Sequence, residues 1–181
     1  AEYVIATAML LLRGAYASSA AVATGQWPRN ALSNGREIGG KTLGLVGFGS
    51  IGQLTARLGK ALGLQVVAFD AMMDDDHPAF AEAGVHCAGL DEVIAMSDVV
   101  SLHLPLTAET EHYADAAFFA RCEKPVWFIN TARGPLVDTA ALLDAIDSEK
   151  VRGACLDVLE FEERTLLGLN AEQEDPVLKR L

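Results

Sequence analysis

Three glycines form the residue pattern with the clearest chemical meaning: Gly47, Gly49 and Gly52, in the sequence GFGSIG. The motif follows a short apolar stretch and opens a segment with helical spacing that begins at Ser50 and Ile51. Gly47 permits a tight turn, Gly49 lets a phosphate approach the backbone, and Gly52 lets the helix pack closely on the strand. Because the helix N-terminus offers N–H donors, the motif predicts a site for the pyrophosphate of a dinucleotide.

An acidic residue, Asp70, follows the glycines at a spacing that is typical of a dinucleotide site. Asp70 lies 18 positions after Gly52, at the end of the next predicted strand. Its carboxylate would accept hydrogen bonds from the hydroxyls of an adenosine ribose and would repel a 2′-phosphate. No Arg or Lys follows before Pro78 to bind such a phosphate. The expected cofactor is therefore NAD rather than NADP.

Two further charged residues end predicted strands. Arg133, in the sequence NTARG, could hold the carboxylate of a 2-oxo acid through its planar fork of N–H donors, or could be a surface arginine that bridges to an acid. Asp157 ends the last predicted strand and could bond a nicotinamide carboxamide or merely cap a turn. Both residues fall at the sheet edge where open α/β sheets bind ligands, so a substrate site beside the cofactor is the hypothesis.

The histidines and cysteines indicate no further chemistry. His103 precedes Pro105 at a strand end and is expected to face the cofactor cleft, whereas His77 and His112 lie in polar loop sequence. None of the four histidines is an obvious general acid. The three cysteines show no metal-binding spacing, so no metal is expected, and their odd number favours a reducing compartment such as the cytoplasm.

Strands and helices alternate between these motifs. Strands are predicted at 42–46, 65–69, 85–87, 99–104, 126–130 and 153–158, with helices between them. The helix after the glycines carries Ile51, Leu54, Leu58 and Leu62 on one face. This order predicts an α/β fold, a Rossmann-like doubly wound parallel sheet with helices on both faces.

The composition excludes several classes of protein. The chain has 181 residues, of which 14 are Lys or Arg and 25 are Asp or Glu, giving a net charge of −11. Nucleic acid is therefore not an expected partner. The longest apolar run, residues 3–12, is half of the ~20 residues needed to span a bilayer, and its spacing predicts an amphipathic helix instead of a membrane segment.

Four segments in this order resemble one family: residues 40–52, residues 103–107 with Thr110, residues 130–134, and residues 153–158. Together they are similar to the D-isomer-specific 2-hydroxyacid dehydrogenases, which include D-3-phosphoglycerate, D-lactate and glyoxylate/hydroxypyruvate enzymes. The resemblance implies that Arg133 binds the substrate and polarises its carbonyl group, and that Asp157 contacts the nicotinamide end of NAD. It also implies that the cofactor lies along His103, Pro105, Thr110, Thr131 and Ala132.

The resemblance further implies an acidic partner for a catalytic histidine. Glu162, five residues after Asp157, matches that partner. The family usually has proline next, but Glu163 follows here, so Glu160 or Glu163 could be the true counterpart. The family's catalytic histidine lies in a downstream Pro-His segment, which does not occur before Leu181. The chain is therefore expected to be a cofactor-binding domain cut from a larger enzyme, inactive by itself.

The predicted organisation has three parts. Residues 1–40 form an interdomain helix and a dimerisation arm around Trp27, residues 41–162 an NAD-binding domain, and residues 163–181 an acidic irregular tail leading to a missing segment. The expected function is hydride transfer between NAD and a D-2-hydroxy acid or 2-oxo acid. The alternative is a non-catalytic, NAD-sensing regulatory domain resembling corepressors. A homodimer through the first helix and the arm is expected in either case.

Overall fold

The computed structural model describes residues 1–32 and 36–161, together with Val177 and Arg180. The described helices are α1 (Glu2–Arg13), α2 (Ala15–Ala23), α3 (Arg29–Leu32), α4 (Ser50–Ala61), α5 (Pro78–Ala83), α6 (Leu90–Met96), α7 (Ala116–Ala120) and α8 (Thr139–Asp147). The strands are β1 (Thr42–Val46), β2 (Gln65–Phe69), β3 (His86–Cys87), β4 (Val99–Leu102), β5 (Val126–Asn130) and β6 (Val151–Leu156).

The six strands form one sheet in the order β3-β2-β1-β4-β5-β6, and every adjacent pair is parallel. The chain adds strands outward from β1 in one direction and then, after β3, returns to add β4 on the other side. This reversal opens a crevice between the carboxyl ends of β1 and β4, where ligands bind in such sheets. The predicted Rossmann-like fold is confirmed.

Helices cover both faces of the sheet. Successive residues of a strand point to opposite faces, so Leu45 of β1 belongs to one core with residues of α1, α4 and α5, whereas Val46 belongs to a second core with residues of α6, α7 and α8. On the first face Phe48 and Phe80 stack with ring centroids 4.6 Å apart. On the second, Phe118, Phe119 and Phe128 meet edge to face. These two cores fix the strand ends that carry the predicted site.

The apolar face of α4 is mostly exposed, although Leu58 packs against the core. The buried residues of α4 are small, namely Gly52, Thr55, Ala56 and Gly59. A side-chain carbon added at Gly59 would lie 3.1 Å from Leu64 and 3.4 Å from Leu43, so the small residues let α4 approach the sheet closely. Ile51, Leu54 and Leu62 remain about half exposed as a consequence. The periodicity placed them on a common face but did not show that this face is open.

Several predicted boundaries differ from the structure. β4 ends at Leu102 rather than at residue 104, and β6 covers Val151–Leu156 rather than residues 153–158. The stretch after α1 also contains two helices, α2 and α3, that hydrophobic spacing did not predict. The sequence of α2, AYASSAAVA, is made mostly of small residues that are not gathered on one apolar face, so no amphipathic pattern marks it.

In the described part of the chain, no single helix has both the length and the apolar composition to cross a membrane. Helices α1 and α2 meet that criterion only when they are taken together, and they are bent by 65° where they meet. The predicted division after residue 162 and the predicted acidic tail lie almost entirely outside the described residues.

Candidate active site

The glycine loop lies where β1 ends. Gly47 has a φ of +98°, in the region that L side chains rarely adopt. A side-chain carbon added there would lie 2.6 Å from the carbonyl oxygen of His103. The backbone N–H of Gly47 also donates to Phe69, 2.8 Å away, so the turn is fastened to β2 and pressed against the chain leaving β4. Only glycine fits this position.

Gly52 and Gly49 differ in what surrounds them. A side-chain carbon at Gly52 would lie 2.6 Å from the carbonyl oxygen of Gly47, so Gly52 is required for packing. The same carbon at Gly49 would meet nothing within 4 Å, although Gly49 directly precedes the first turn of α4. The exposed residues Ser50 and Ile51 begin that helix. The structure thus leaves open space beside helix N–H donors, which fits a pyrophosphate group.

Asp70 directly follows β2 and is bound to this loop. One carboxylate oxygen accepts a 2.7 Å hydrogen bond from the N–H of Phe48, between the first two glycines, and the other accepts 2.9 Å from Met72. Each carboxylate oxygen has two acceptor sites, so both retain capacity for ribose hydroxyls. Asp70 therefore orders the loop and also presents a charged acceptor beside it, as cofactor binding requires.

His103 follows β4 across the crevice. Its Nε2 lies 3.1 Å from the hydroxyl oxygen of Ser101, two residues back on the same strand face. Burial lowers the pKa of His103 to about 4, so the ring is neutral at physiological pH. The ring is thus held along the strand, and it is the backbone of His103 that contacts the glycine loop.

The loop after His103 is closed by a threonine. The Thr110 hydroxyl donates to the carbonyl oxygen of Pro105 at 2.6 Å and accepts from the N–H of Thr107 at 2.8 Å. This pair of bonds folds residues 105–110 into a compact turn at the carboxyl end of β4. The predicted cofactor-binding residues Pro105 and Thr110 therefore lie in the same compact loop and are hydrogen-bonded to each other.

Asn130, at the end of β5, organises the substrate side of the site. Its side-chain amide donates 2.8 Å to the carbonyl oxygen of Arg133 and its side-chain oxygen accepts 3.1 Å from Ala132. Its backbone carbonyl accepts 3.0 Å from the N–H of Asp157, which directly follows β6. One fully buried residue thus anchors the backbone of both charged residues that the sequence singled out.

The Arg133 side chain is exposed, and one of its guanidinium nitrogens donates 2.7 Å to the carbonyl oxygen of Ala132. A guanidinium has five N–H donors, so this bond leaves donors for an incoming carboxylate. Thr131 and Ala132 are partly exposed beside it. The geometry suits an arginine that holds an anionic ligand at the sheet edge.

Glu160 already has two partners in the structure. One carboxylate oxygen lies 2.6 Å from Nε2 of His112, and the other accepts 3.0 Å from the N–H of Thr139. His112, which lies in polar loop sequence, is therefore hydrogen-bonded to Glu160 in the structure. Glu162 and Glu163, the other candidates for the acidic partner of a catalytic histidine, lie outside the described residues.

The fold brings most of the predicted residues to one edge of the sheet. The glycine loop, Asp70, the 103–110 loop, the Arg133 turn and Asp157 all follow the carboxyl ends of parallel strands β1, β2, β4, β5 and β6. A groove of about 1010 Å³ between α1, α8 and β6 is lined by none of these residues. Sequence reasoning assigned no role to Asn130, although its place inside the NTARG motif at a strand end was a usable signal.

Comparisons with known proteins agree with this geometry. Residues 5–180 match the sequence model of the D-isomer specific 2-hydroxyacid dehydrogenase, NAD binding domain. An (S)-sulfolactate dehydrogenase from Chromohalobacter salexigens is 42% identical over 165 residues, which are 91% of this chain and 53% of that protein. A D-3-phosphoglycerate dehydrogenase from Mycobacterium tuberculosis is 41% identical over 90% of this chain and 30% of its own length.

Solved structures give the same result. A D-lactate dehydrogenase from Treponema pallidum superposes with a TM-score of 0.84 at 37% identity, covering 99% of this chain and 54% of that one. A D-lactate dehydrogenase with NAD⁺ from Lactobacillus jensenii gives 0.84 at 32% identity, with the same coverage. These relatives are named as enzymes and give no support to a regulatory role. The chain spans about half the length of these structures, and it belongs to the D-isomer-specific 2-hydroxyacid dehydrogenase family as an NAD-binding domain.

Proposed function

We propose that this chain is the cofactor-binding part of an enzyme that transfers a hydride between NAD and a small D-2-hydroxy acid or 2-oxo acid. The observation that carries the proposal is the double anchorage by Asn130, which bonds the backbone of both Arg133 and Asp157 at the edge that also carries the glycine loop. An arginine next to a dinucleotide site is suited to a substrate with a carboxylate. Relatives named for sulfolactate, lactate and phosphoglycerate all act on acids of this kind.

The residues of this chain divide the work between binding and orientation. The open space at Gly49 and the N-terminus of α4 would hold the pyrophosphate, and Asp70 the adenosine ribose. Bound NADH supplies the hydride. Arg133 would hold the substrate carboxylate in two charge-assisted hydrogen bonds and stabilise the negative charge that develops on the carbonyl oxygen. Asp157 would accept from the carboxamide at the nicotinamide end.

Proton delivery needs a histidine that none of these residues provides. We propose that Glu162 raises the pKa of that histidine by stabilising its charged form. The structure supports this choice over Glu160, because the Glu160 carboxylate is already paired with a different histidine, His112, 2.6 Å away.

Replacing Asp70 by alanine should weaken NAD binding by roughly ten- to a hundredfold, because charge-assisted hydrogen bonds to the ribose are worth about 1.5–3 kcal/mol. The affinity for NADP should change much less. Calorimetric titration of both cofactors into the unsubstituted chain and the variant measures this. Since Asp70 also binds Phe48, the thermal midpoint of each protein is recorded alongside. Tighter binding of NADP than of NAD by the unsubstituted chain would contradict the assignment.

We also propose that the protein forms a two-fold homodimer through α1 and the arm around Trp27. Trp27 is 79% exposed and Tyr16 81%, and α2 has no buried residue. Leu54 and Leu62 are also about half exposed. Large exposed apolar side chains are typical of protein interfaces, and a second copy of the chain supplies the same residues.

The dimer predicts a doubled mass and a shielded tryptophan. Light scattering at tens of micromolar should give twice 19.2 kDa, and replacing Trp27 by serine should shift the chain toward monomers. Fluorescence quenching by iodide tests whether Trp27 is covered in the unsubstituted protein. A monomer mass combined with a fully quenched Trp27 would contradict the interface.

The three cysteines support a reducing compartment. Cys87, Cys122 and Cys155 are all unpaired thiols in the structure. Proteins of oxidising compartments commonly use disulfides, so we propose the cytoplasm as the location.

A further inference from the structure

Glu160 joins three segments that are far apart in the chain. It lies in the stretch that follows β6 and Asp157, and its side chain is only 15% exposed. Its two oxygens contact His112, in the turn after the 105–110 loop, and the N–H of Thr139, the first residue of α8. His112 in turn donates its backbone N–H to the carbonyl oxygen of Pro135, 2.8 Å away, in the short 3₁₀ helix after Arg133.

The stretch that carries Glu160 lies directly against the Arg133 turn. A side-chain carbon added at Gly134, the residue after Arg133, would collide with the carbonyl oxygen of Leu159 and would lie 2.7 Å from the backbone nitrogen of Glu160. A shift of residues 157–160 toward Gly134 would therefore also displace the turn beside Arg133. The Glu160 carboxylate stabilises this backbone contact through its hydrogen bonds to His112 and to Thr139 of α8.

We propose that Glu160 is a positioning residue for the reaction: by bonding His112 and Thr139 it keeps Asp157, at the nicotinamide end, in register with the substrate-binding Arg133. This inference rests on the proposed function. Glu160 touches neither the glycine loop nor Asp70, so it acts on the reacting end of the site and leaves the adenosine end unaffected. Loss of the Glu160 carboxylate shifts Asp157 relative to Arg133, although both must act on the same transition state. Because reaction rates are sensitive to shifts of about 1 Å between reacting groups, turnover falls.

The hydrogen-bonding groups of each side chain predict which substitution of Glu160 keeps Asp157 and Arg133 in register. Alanine at residue 160 removes both bonds. Glutamine can keep both, because its side-chain oxygen accepts from Thr139 while its amide donates to Nε2 of a neutral His112 in the alternative tautomer. Replacing His112 by asparagine removes the imidazole but suits the backbone, since His112 has a φ of +51° and asparagine tolerates that region.

The test uses the full-length enzyme that contains this chain, with NADH and a 2-oxo acid as substrates and ADP-ribose as a probe for the adenosine end. Glu160→Ala should lower kcat at least tenfold while the affinity for ADP-ribose stays within about twofold. Glu160→Gln should recover kcat to within about threefold, and His112→Asn should give a smaller loss than Glu160→Ala. Glu92→Ala is the matched control, because Glu92 forms an exposed pair with His86, 3.7 Å apart, at the other edge of the sheet.

Three results would overturn the proposal. Glu160→Ala could leave kcat unchanged, Glu160→Gln could lose as much activity as alanine, or Glu160→Ala could lose ADP-ribose affinity and thermal stability in parallel with kcat, which indicates a general structural role. If Glu160→Ala does not fold, the glutamine and His112 variants decide by the same criteria. No turnover by the unsubstituted enzyme would instead refute the proposed function, and this inference with it.

Discussion

Replacing Gly49 with alanine should lower the affinity for NAD by at least about a hundredfold and leave the free energy of unfolding unchanged. Several charge-assisted hydrogen bonds to a pyrophosphate, each worth about 1.5–3 kcal/mol, are at stake. The protein itself has room for the methyl group, because nothing lies within 4 Å of it, and the φ of −68° at Gly49 suits alanine. The only group that the methyl displaces is one that approaches the loop from outside.

Two other glycines make this experiment specific. Gly52→Ala brings the new carbon 2.6 Å from the carbonyl oxygen of Gly47, so it should lower stability and binding together. Gly39→Ala also meets nothing within 4 Å but lies before β1, so it should change neither. Calorimetric titration with NAD and chemical denaturation of the three variants give both quantities. Unchanged NAD affinity in Gly49→Ala would mean that the pyrophosphate does not lie at this loop.

The glycine loop was predictable because the residues that define it are close together in the sequence. A turn between a strand and a helix, the glycines and the following Asp70 lie within a single βαβ unit, and each has a steric or electrostatic reason that is independent of distant residues. The alternation of strands and helices likewise predicted the sheet and the carboxyl edge where Arg133 and Asp157 lie. The cap of α8 is local in the same way, because Asp138 directly precedes the helix and accepts from the N–H of Ala141.

The remaining features depend on contacts between distant segments. His112 and Glu160 are 48 residues apart, and no spacing rule relates them. The apolar stripe on α4 has helical periodicity, but small residues on the adjoining face decided which side meets the sheet. Periodicity shows that a helix is two-sided, whereas burial depends on which side the neighbouring elements can approach.

The full-length enzyme should reduce a 2-oxo acid at least about a hundredfold faster than the 181-residue chain does. The chain should bind NADH, because the groups for the adenosine end are already positioned by its own sheet. Reduction of a 2-oxo acid also needs a proton donor near the carbonyl oxygen, and a general acid typically contributes about 10²–10⁴-fold. Restoring the rest of the enzyme should supply the donor and exclude water from the site.

The four histidines of the chain have other roles in the structure. Burial keeps His103 neutral by lowering its pKa to about 4, and His77 caps α5 by accepting from the N–H of Ala79. His86 pairs with Glu92, and His112 is bound to Glu160. Each of the four rings thus already has a partner within the chain.

The measurement follows NADH absorbance with glyoxylate, hydroxypyruvate and pyruvate, after calorimetry has shown that the chain binds NADH. In the full-length enzyme, Arg133→Gln should lower kcat/KM by at least about a hundredfold, because the lost groups bind the carboxylate and stabilise the oxyanion. NADH affinity should change little in that variant. Reduction of a 2-oxo acid by the 181-residue chain would contradict the prediction that the chain is inactive by itself. A loss of that turnover in His112→Asn would then identify the His112–Glu160 pair as the acid.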